Sequence, residues 1–284
     1  MLKISRQAYY EFLKRRNKPW KYEDIAEKMC EIYEEDEYND TYGRKRMYEA
    51  LKIKKEAERS DIYIPSEGTV RKIMSEIGIV HKVRHKPNSI TKADKEARKS
   101  DDLIKRNFRS EKPLEKAVTD ISEIPAKDGK IYISVLFDCF DLMPLGFAAA
   151  DNMKADLCVK TLENAYCSYP DIRGMIIHSD RGSQYTSVIY RKTIERIDIK
   201  QSMNSAGGRC HDNARCESMW ARMKEEIFYS RKRRSEEYTI EELKCMIWRY
   251  FMSYWANRRI CSANGGLPPS IKRKRYYESI SEAA

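Results

Sequence analysis

Three carboxylates stand where a sheet and a helix would present them for chemistry. Asp120 lies between the apolar Val118 and Ile121, Asp180 closes a short apolar run in HSDRGSQY, and Glu217 comes early in a helical stretch starting near Asn213. In α/β sheets, functional groups collect at strand ends and in the turns that follow them. A charged acid inside a strand needs a partner, and a divalent cation is one. Magnesium prefers oxygen ligands and keeps several of its waters. Two such ions about 4 Å apart flank a scissile phosphate, one activating the attacking oxygen and the other stabilising the leaving oxygen. Lys224 follows Glu217 by two helical turns and shares its face. Spacing alone does not single out this trio. The chain holds 44 Asp+Glu, and Asp138 and Asp141, at the end of the next apolar run, compete with Asp120.

The elements that must carry these acids follow from residue periodicity. Strands are expected at 117–124, 130–140, 145–150, 175–178 and 199–202, and helices at 155–165, 187–197, 213–228 and 239–254. Three consecutive strands followed by alternating helices and strands describe an α/β sheet with an antiparallel hairpin side. Ser179, Gly182, Gln184 and Tyr185 read as the turn that aims Asp180, and Asp212-Asn213 as a cap for the helix bearing Glu217. His178 reads as a packed residue. The stripe Met246, Tyr250, Phe251 and Trp255 reads as core.

Residues 1–85 read as helical. Val70, Ile73, Met74 and Ile77 form an amphipathic stripe after a start at Pro65-Ser66, and Gly78 fits a C-terminal stop. With a preceding helix around 42–55, residues 66–77 form the second helix of a helix-turn-helix candidate. Thr69, Arg71 and Lys72 lie off the apolar stripe and are the candidate DNA contacts there. Residues 71–109 carry 12 Lys+Arg against 5 Asp+Glu, so 86–112 reads as a basic connector, with Lys82 and Arg84 just before it as further contacts. Such a tract suits a phosphate backbone, where each neutralised phosphate adds salt-sensitive affinity.

The balance over the 284 residues is 55 Lys+Arg to 44 Asp+Glu, a net charge of +11 that favours a polyanion. The apolar fraction of 41% supports a folded core, and no run of about 18 apolar residues marks a membrane span. The opening MLKISRQAYYEFLKRR has no signal-peptide core, which places the expected location in the cytoplasm. Eight cysteines form no CxxC pair and there are four histidines, so zinc-ligand spacing is absent and free buried thiols are expected.

Several segments together resemble a known family. TYGRKRMYEAL and GTVRKIMSEIGI are similar to its helix-turn-helix region, VTDISEIP to its first catalytic segment, HSDRGSQYTS to its second, and KQSMNSAGGRCHDNARCESMWARMKEE to its third. ISRQAYYEFLKR and YWANRRICSANGGLPPSIKRKRYY resemble its opening and closing segments. The family is the second-reading-frame (OrfB) transposases of the IS-three group of bacterial insertion sequences, within the retroviral-integrase-like DDE superfamily. The resemblance implies a ribonuclease-H-like catalytic domain over 113–284, preceded by the helical helix-turn-helix region. It implies Asp120, Asp180 and Glu217 as catalytic metal ligands and Lys224 as a catalytic auxiliary that approaches DNA phosphate, and it leaves Asp138 outside the ligand set. It implies two Mg2+ ions, with Mn2+ as a substitute, and magnesium-dependent cleavage and strand transfer on double-stranded DNA at element ends and target. A homo-oligomer on DNA, nucleoid association and a frameshift fusion to an upstream-frame protein follow from the same resemblance.

One departure is visible. Residues 181–216 put 36 residues between Asp180 and Glu217, one more than is usual in that family, and the Gly207-Gly208 loop is the expected site of the insertion. Two other readings compete: a catalytically inactive DNA-binding copy or regulator, and a purely hydrolytic ribonuclease-H-like nuclease.

Overall fold

The computed structural model describes residues 5–16, 20–80, 102–104, 107–203 and 214–283. The chain forms two compact units, Met1–His81 and Lys82–Ala284.

The first unit is helical. Its elements are α1 (Arg6–Arg16), α2 (Glu23–Glu34), α3 (Arg44–Glu58) and α4 (Glu67–Glu76). The apolar spacing explains the packing: Ile25, Met29 and Ile32 of α2, Met47 and Leu51 of α3, and Val70, Ile73 and Met74 of α4 are all buried. Asp36 starts the turn between α2 and α3 by accepting from the Tyr38 amide, and Asn39 donates to the Ile32 carbonyl. The stop expected at Gly78 is present. Its φ is +79°, and the Ile79 amide closes back onto the Met74 carbonyl at 2.8 Å, which satisfies a helix-end acceptor.

The second unit is built on one mixed sheet of β1 (Lys116–Ala126), β2 (Gly129–Asp138), β3 (Pro144–Ala150), β4 (Ile176–Ser179) and β5 (Lys200–Met203). Their order is β3-β2-β1-β4-β5. β1, β2 and β3 pair antiparallel through short connections, whereas β4 joins β1, and β5 joins β4, in parallel. A parallel neighbour needs a crossover. α5 (Ala155–Ser168) supplies the first and α7 (Val188–Ile197) the second. This is the expected α/β sheet with an antiparallel side, the strand arrangement of a ribonuclease-H-like domain.

Three details differ from expectation. A short helix α6 (Ser183–Thr186) precedes α7, because Ser187 accepts from the Tyr190 amide and starts α7 anew. Beyond α8 (Ala214–Ile227), the helix expected over 239–254 is α-helical only as α9 (Ile240–Trp248), and Arg249–Trp255 is π-helical. Buried Tyr250, Phe251, Tyr254 and Trp255 suit both windings, so the apolar pattern does not distinguish them. Of the seven described cysteines, all free, Cys139, Cys158, Cys216 and Cys261 are buried as expected but Cys30, Cys167 and Cys245 are exposed.

The core lies between the sheet and its helices and includes Ala117, Leu136, Leu145, Leu162, Ile177 and Ile194. Helix α5 sits very close to β3. A Cβ on Gly146 would stand 2.2 Å from the Thr161 carbonyl oxygen, so only glycine fits. The closing helix, α10 (Pro269–Ala283), is anchored to the turn after β2.

Candidate active site

The central strand places the first acid. Asp120 lies at the middle of β1, opposite Val135 of β2, after the buried run Ala117, Val118 and Thr119. On its other side β1 pairs with β4, with Val118 opposite His178, so the end of β4 points the chain toward Asp120. Asp180 follows that end immediately. Its Oδ1 accepts the Gly182 amide at 2.9 Å, which turns the carboxylate back over the strand end. Gly182 has little room for anything larger, because an added Cβ would stand 3.1 Å from that same oxygen. Below the turn, Tyr185 is buried. Gln184 donates to the Met153 carbonyl.

Helix α8 supplies the third acid. Trp220 Nε1 donates to Asp120 Oδ2 at 3.2 Å, which lays α8 against β1. Farther along, Lys224 Nζ stands 3.4 Å from the Glu123 carbonyl oxygen. Glu217, Trp220 and Lys224 recur at i, i+3 and i+7, and the latter two touch β1, so one face of α8 carries all three. Glu217 itself is exposed and takes no hydrogen bond or ion pair from the described residues.

The electrostatics bring the three acids into one field. Burial, then the charge of Asp180 and lastly that of Glu217 push the Asp120 carboxyl up to about 7, against the amide of Ile121 and the indole of Trp220. Burial also raises Asp180, opposed by the Gly182 amide and by His178. Burial lowers Lys224, against the charges of Glu123 and Asp120. Among the described residues no ion pair neutralises Asp120, Asp180 or Glu217. Carboxylates offer only oxygen donors, which suit a hard divalent metal. Among the described residues no three ligating side chains gather round a single point. Asp120 is the member that feels both of the others.

The competing acids are occupied elsewhere. Asp138 accepts from the Leu114 amide, the Phe140 amide and Arg273, and Asp141 accepts from Arg273 and the Met143 amide. Both acids are fully buried in this ion cluster, which sits at the end of β2 paired with the start of β1. His178 is packed, with Nδ1 2.9 Å from Ser202 Oγ and its ring edge-on to Phe108. In the first unit, Arg71 and Lys72 are exposed, and Thr69 Oγ1 is 3.2 Å from Ser66 Oγ. Lys82, Arg84, the Gly207-Gly208 loop, the Asp212-Asn213 cap and most of the basic connector lie outside the described residues. Trp220 and the Asp138–Arg273 pairing were not anticipated from the sequence. Each joins residues a hundred or more positions apart, and only the indole of Trp220, three residues after Glu217, left a local trace.

A mixed sheet carries acids on its central strand, just past a neighbouring strand end and on a flanking helix, an arrangement suited to metal-dependent phosphoryl transfer. The integrase core domain family matches residues 110–209. The chain is 28% identical over 274 residues to the putative transposase InsK for insertion sequence element IS150 of Escherichia coli (strain K12), covering 96% of this chain and 91% of that protein. It is 30% identical over 270 residues to a probable transposase for insertion sequence element IS1353 of Shigella flexneri, covering 94% of this chain but 50% of that protein. It is 31% identical over 170 residues to an uncharacterized transposase-like protein of Haemophilus influenzae, covering 60% of this chain and 76% of that one. The chain belongs to the insertion-sequence transposases of the DDE integrase superfamily.

Proposed function

We propose that Asp120, Asp180 and Glu217 are the catalytic metal ligands of a magnesium-dependent DNA cleavage and strand-transfer reaction. The observation that carries this is the placement of Asp120 on the central strand beside the β4 end that leads into Asp180, with its Oδ2 accepting from Trp220 of the helix that bears Glu217. Asp120, Asp180 and Glu217 would hold the metal through their carboxylate oxygens, the donor type that a hard divalent cation prefers. Two bound Mg2+ ions, with Mn2+ able to substitute, supply an activated oxygen nucleophile and stabilisation of the leaving oxygen. The protein's part is positioning. β1, the turn after β4 and α8 carry the three carboxylates.

The reaction has two displacements. Water attacks phosphorus at the element's end, the P–O bond to the 3′ oxygen breaks, and that oxygen leaves as a 3′-hydroxyl. This hydroxyl then attacks a second phosphodiester, losing its proton as the new P–O bond forms and expelling the next 3′ oxygen. Lys224, on the helix face that carries Glu217, meets a phosphate oxygen beside the reacting bond. The substrate is double-stranded DNA. Residues 1–85 form its recognition region through Thr69, Arg71 and Lys72, and Lys82 and Arg84 with the 86–112 connector extend the contact to the backbone. Residues 113–284 form the catalytic domain. Two element ends must meet for joining, so the working species is a homomultimer on DNA. A frameshift fusion to an upstream-frame protein belongs to the same proposal. Among the described residues no helix is long and apolar enough to cross a membrane.

The test is a cleavage and joining assay on DNA carrying the element's own ends. Asp120→Asn, Asp180→Asn and Glu217→Gln are each expected to lower magnesium-dependent turnover by about 10²–10³-fold or more. Full activity in Asp120→Asn would overturn the site. Hydrolysed ends without joined strands would favour a nuclease, and DNA binding without cleavage by the unaltered chain would favour a regulator.

A further inference from the structure

We propose that Trp220 is a positioning residue that aims the Asp120 carboxylate and locks it to the helix bearing Glu217. The inference rests on Asp120 being a metal ligand. The indole Nε1–H donates to Asp120 Oδ2 at 3.2 Å, across a hundred residues of sequence. Trp220 is 5% exposed, and its ring is wedged edge-on against Phe137 of β2 and Phe251 of the π-helical segment, with centroids 6.3 and 5.6 Å away. The donor therefore cannot swing away without disrupting an aromatic cluster that also holds Tyr250 and Trp255.

The chemistry of the donor matters. An indole is neutral and only donates. It fixes one carboxylate oxygen while leaving the charge and the remaining lone pairs for a cation. Arg273 does the opposite to Asp138, neutralising that acid and occupying it. Trp220 also lies three residues after Glu217, so one rigid helical turn carries both the donor and the third acid. Two residues before Glu217, Arg215 Nη1 donates to the Cys139 carbonyl at 2.7 Å. Glu217 is thus bracketed by two anchors, one to the end of β2 and one to Asp120 itself. A shift of α8 along β1 moves Glu217 and releases Asp120 together.

The experiment uses the full chain with Trp220→Phe and with Trp220 replaced by 3-benzothienylalanine, which keeps the two-ring shape and puts sulfur where the N–H was. Three quantities are read: the magnesium concentration giving half-maximal cleavage, the maximal rate at saturating magnesium, and Mn2+ affinity by calorimetry without DNA. Losing an outer hydrogen bond of this kind weakens metal binding by about 10–100-fold. Both variants are expected to raise the half-saturating magnesium and weaken Mn2+ binding by about that factor, with a smaller fall in maximal rate. If Trp220→Phe does not fold, the benzothienyl variant decides. Unchanged Mn2+ affinity and half-saturating magnesium in that variant would overturn the proposal, as would an equal loss of rate at every metal concentration. Asp120→Asn separates the two levels. If it leaves Mn2+ binding intact, the ligand assignment falls and this proposal with it. If it abolishes binding while the Trp220 variants bind normally, only the positioning role falls.

Discussion

Arg273 Nη2 lies 2.6 Å from Asp138 Oδ2, and the same guanidinium reaches Asp141 Oδ2 at 2.7 Å. The contact ties α10 to the turn after β2. Asp138 and Asp141 are 0% exposed and Arg273 is 8% exposed, so all three charges are held away from water. Removing one member of a buried ion cluster strands the others, at a cost of about 3–5 kcal/mol. Arg273→Met should therefore lower unfolding free energy by about that amount in urea titration. A loss below about 1 kcal/mol would mean that water reaches the cluster.

Gly146 tests the closeness of α5 to β3. Its missing side chain admits the Thr161 carbonyl, the Ala165 amide and the Ala165 Cβ. Gly146→Ala must push the helix off the strand, and overpacking of this kind costs about 1–3 kcal/mol. The measurement is the urea midpoint at constant slope. An unchanged midpoint would show that α5 relaxes freely.

Asp120 makes stability depend on pH in the absence of metal. Its carboxyl is pushed from an ordinary value of 3.8 to about 7 by burial, Asp180 and Glu217. Between those values the folded chain holds a proton that the unfolded chain has released. The resulting stabilisation is complete below 3.8 and is lost as pH rises through about 7. Asp120→Asn carries no such charge. In chelator it should match the unaltered chain near pH 4 and exceed it by roughly 2–4 kcal/mol near pH 8. Excess magnesium should reverse the order at pH 8, because the cation stabilises only the chain that binds it.

Arg71 and Lys72 are both exposed on α4, off the buried stripe of Val70, Ile73 and Met74. If they neutralise phosphates, Arg71→Ala and Lys72→Ala should each lower affinity for end DNA and reduce the log–log salt slope by roughly 1. Fold and metal affinity should not change. Identical slopes by salt-titrated binding would remove α4 from the interface.

The chemical class of this protein was legible as a family resemblance carried by local strings. HSDRGSQY and DNARCE place acids at a strand end and on a helix, and the alternation and helical spacing around them are short-range properties that a linear reading can detect. The same reading located the five strands within a few residues, because a half-buried strand and an amphipathic helix each impose their own period on the chain. It could not decide on physical grounds between Asp120 and Asp138, since both close or interrupt apolar runs. Tertiary structure separates their surroundings. Asp138 meets Arg273 from the last helix, whereas Asp120 accepts from a neutral indole and feels the charges of Asp180 and Glu217. The π-helical winding of Arg249–Trp255, the glycine-only contact at Gly146 and the anchoring of Lys224 to Glu123 were equally invisible. Each depends on which distant residue the fold brings within a few ångströms. Periodicity reports which face of an element is buried; it carries no information about what that face will touch.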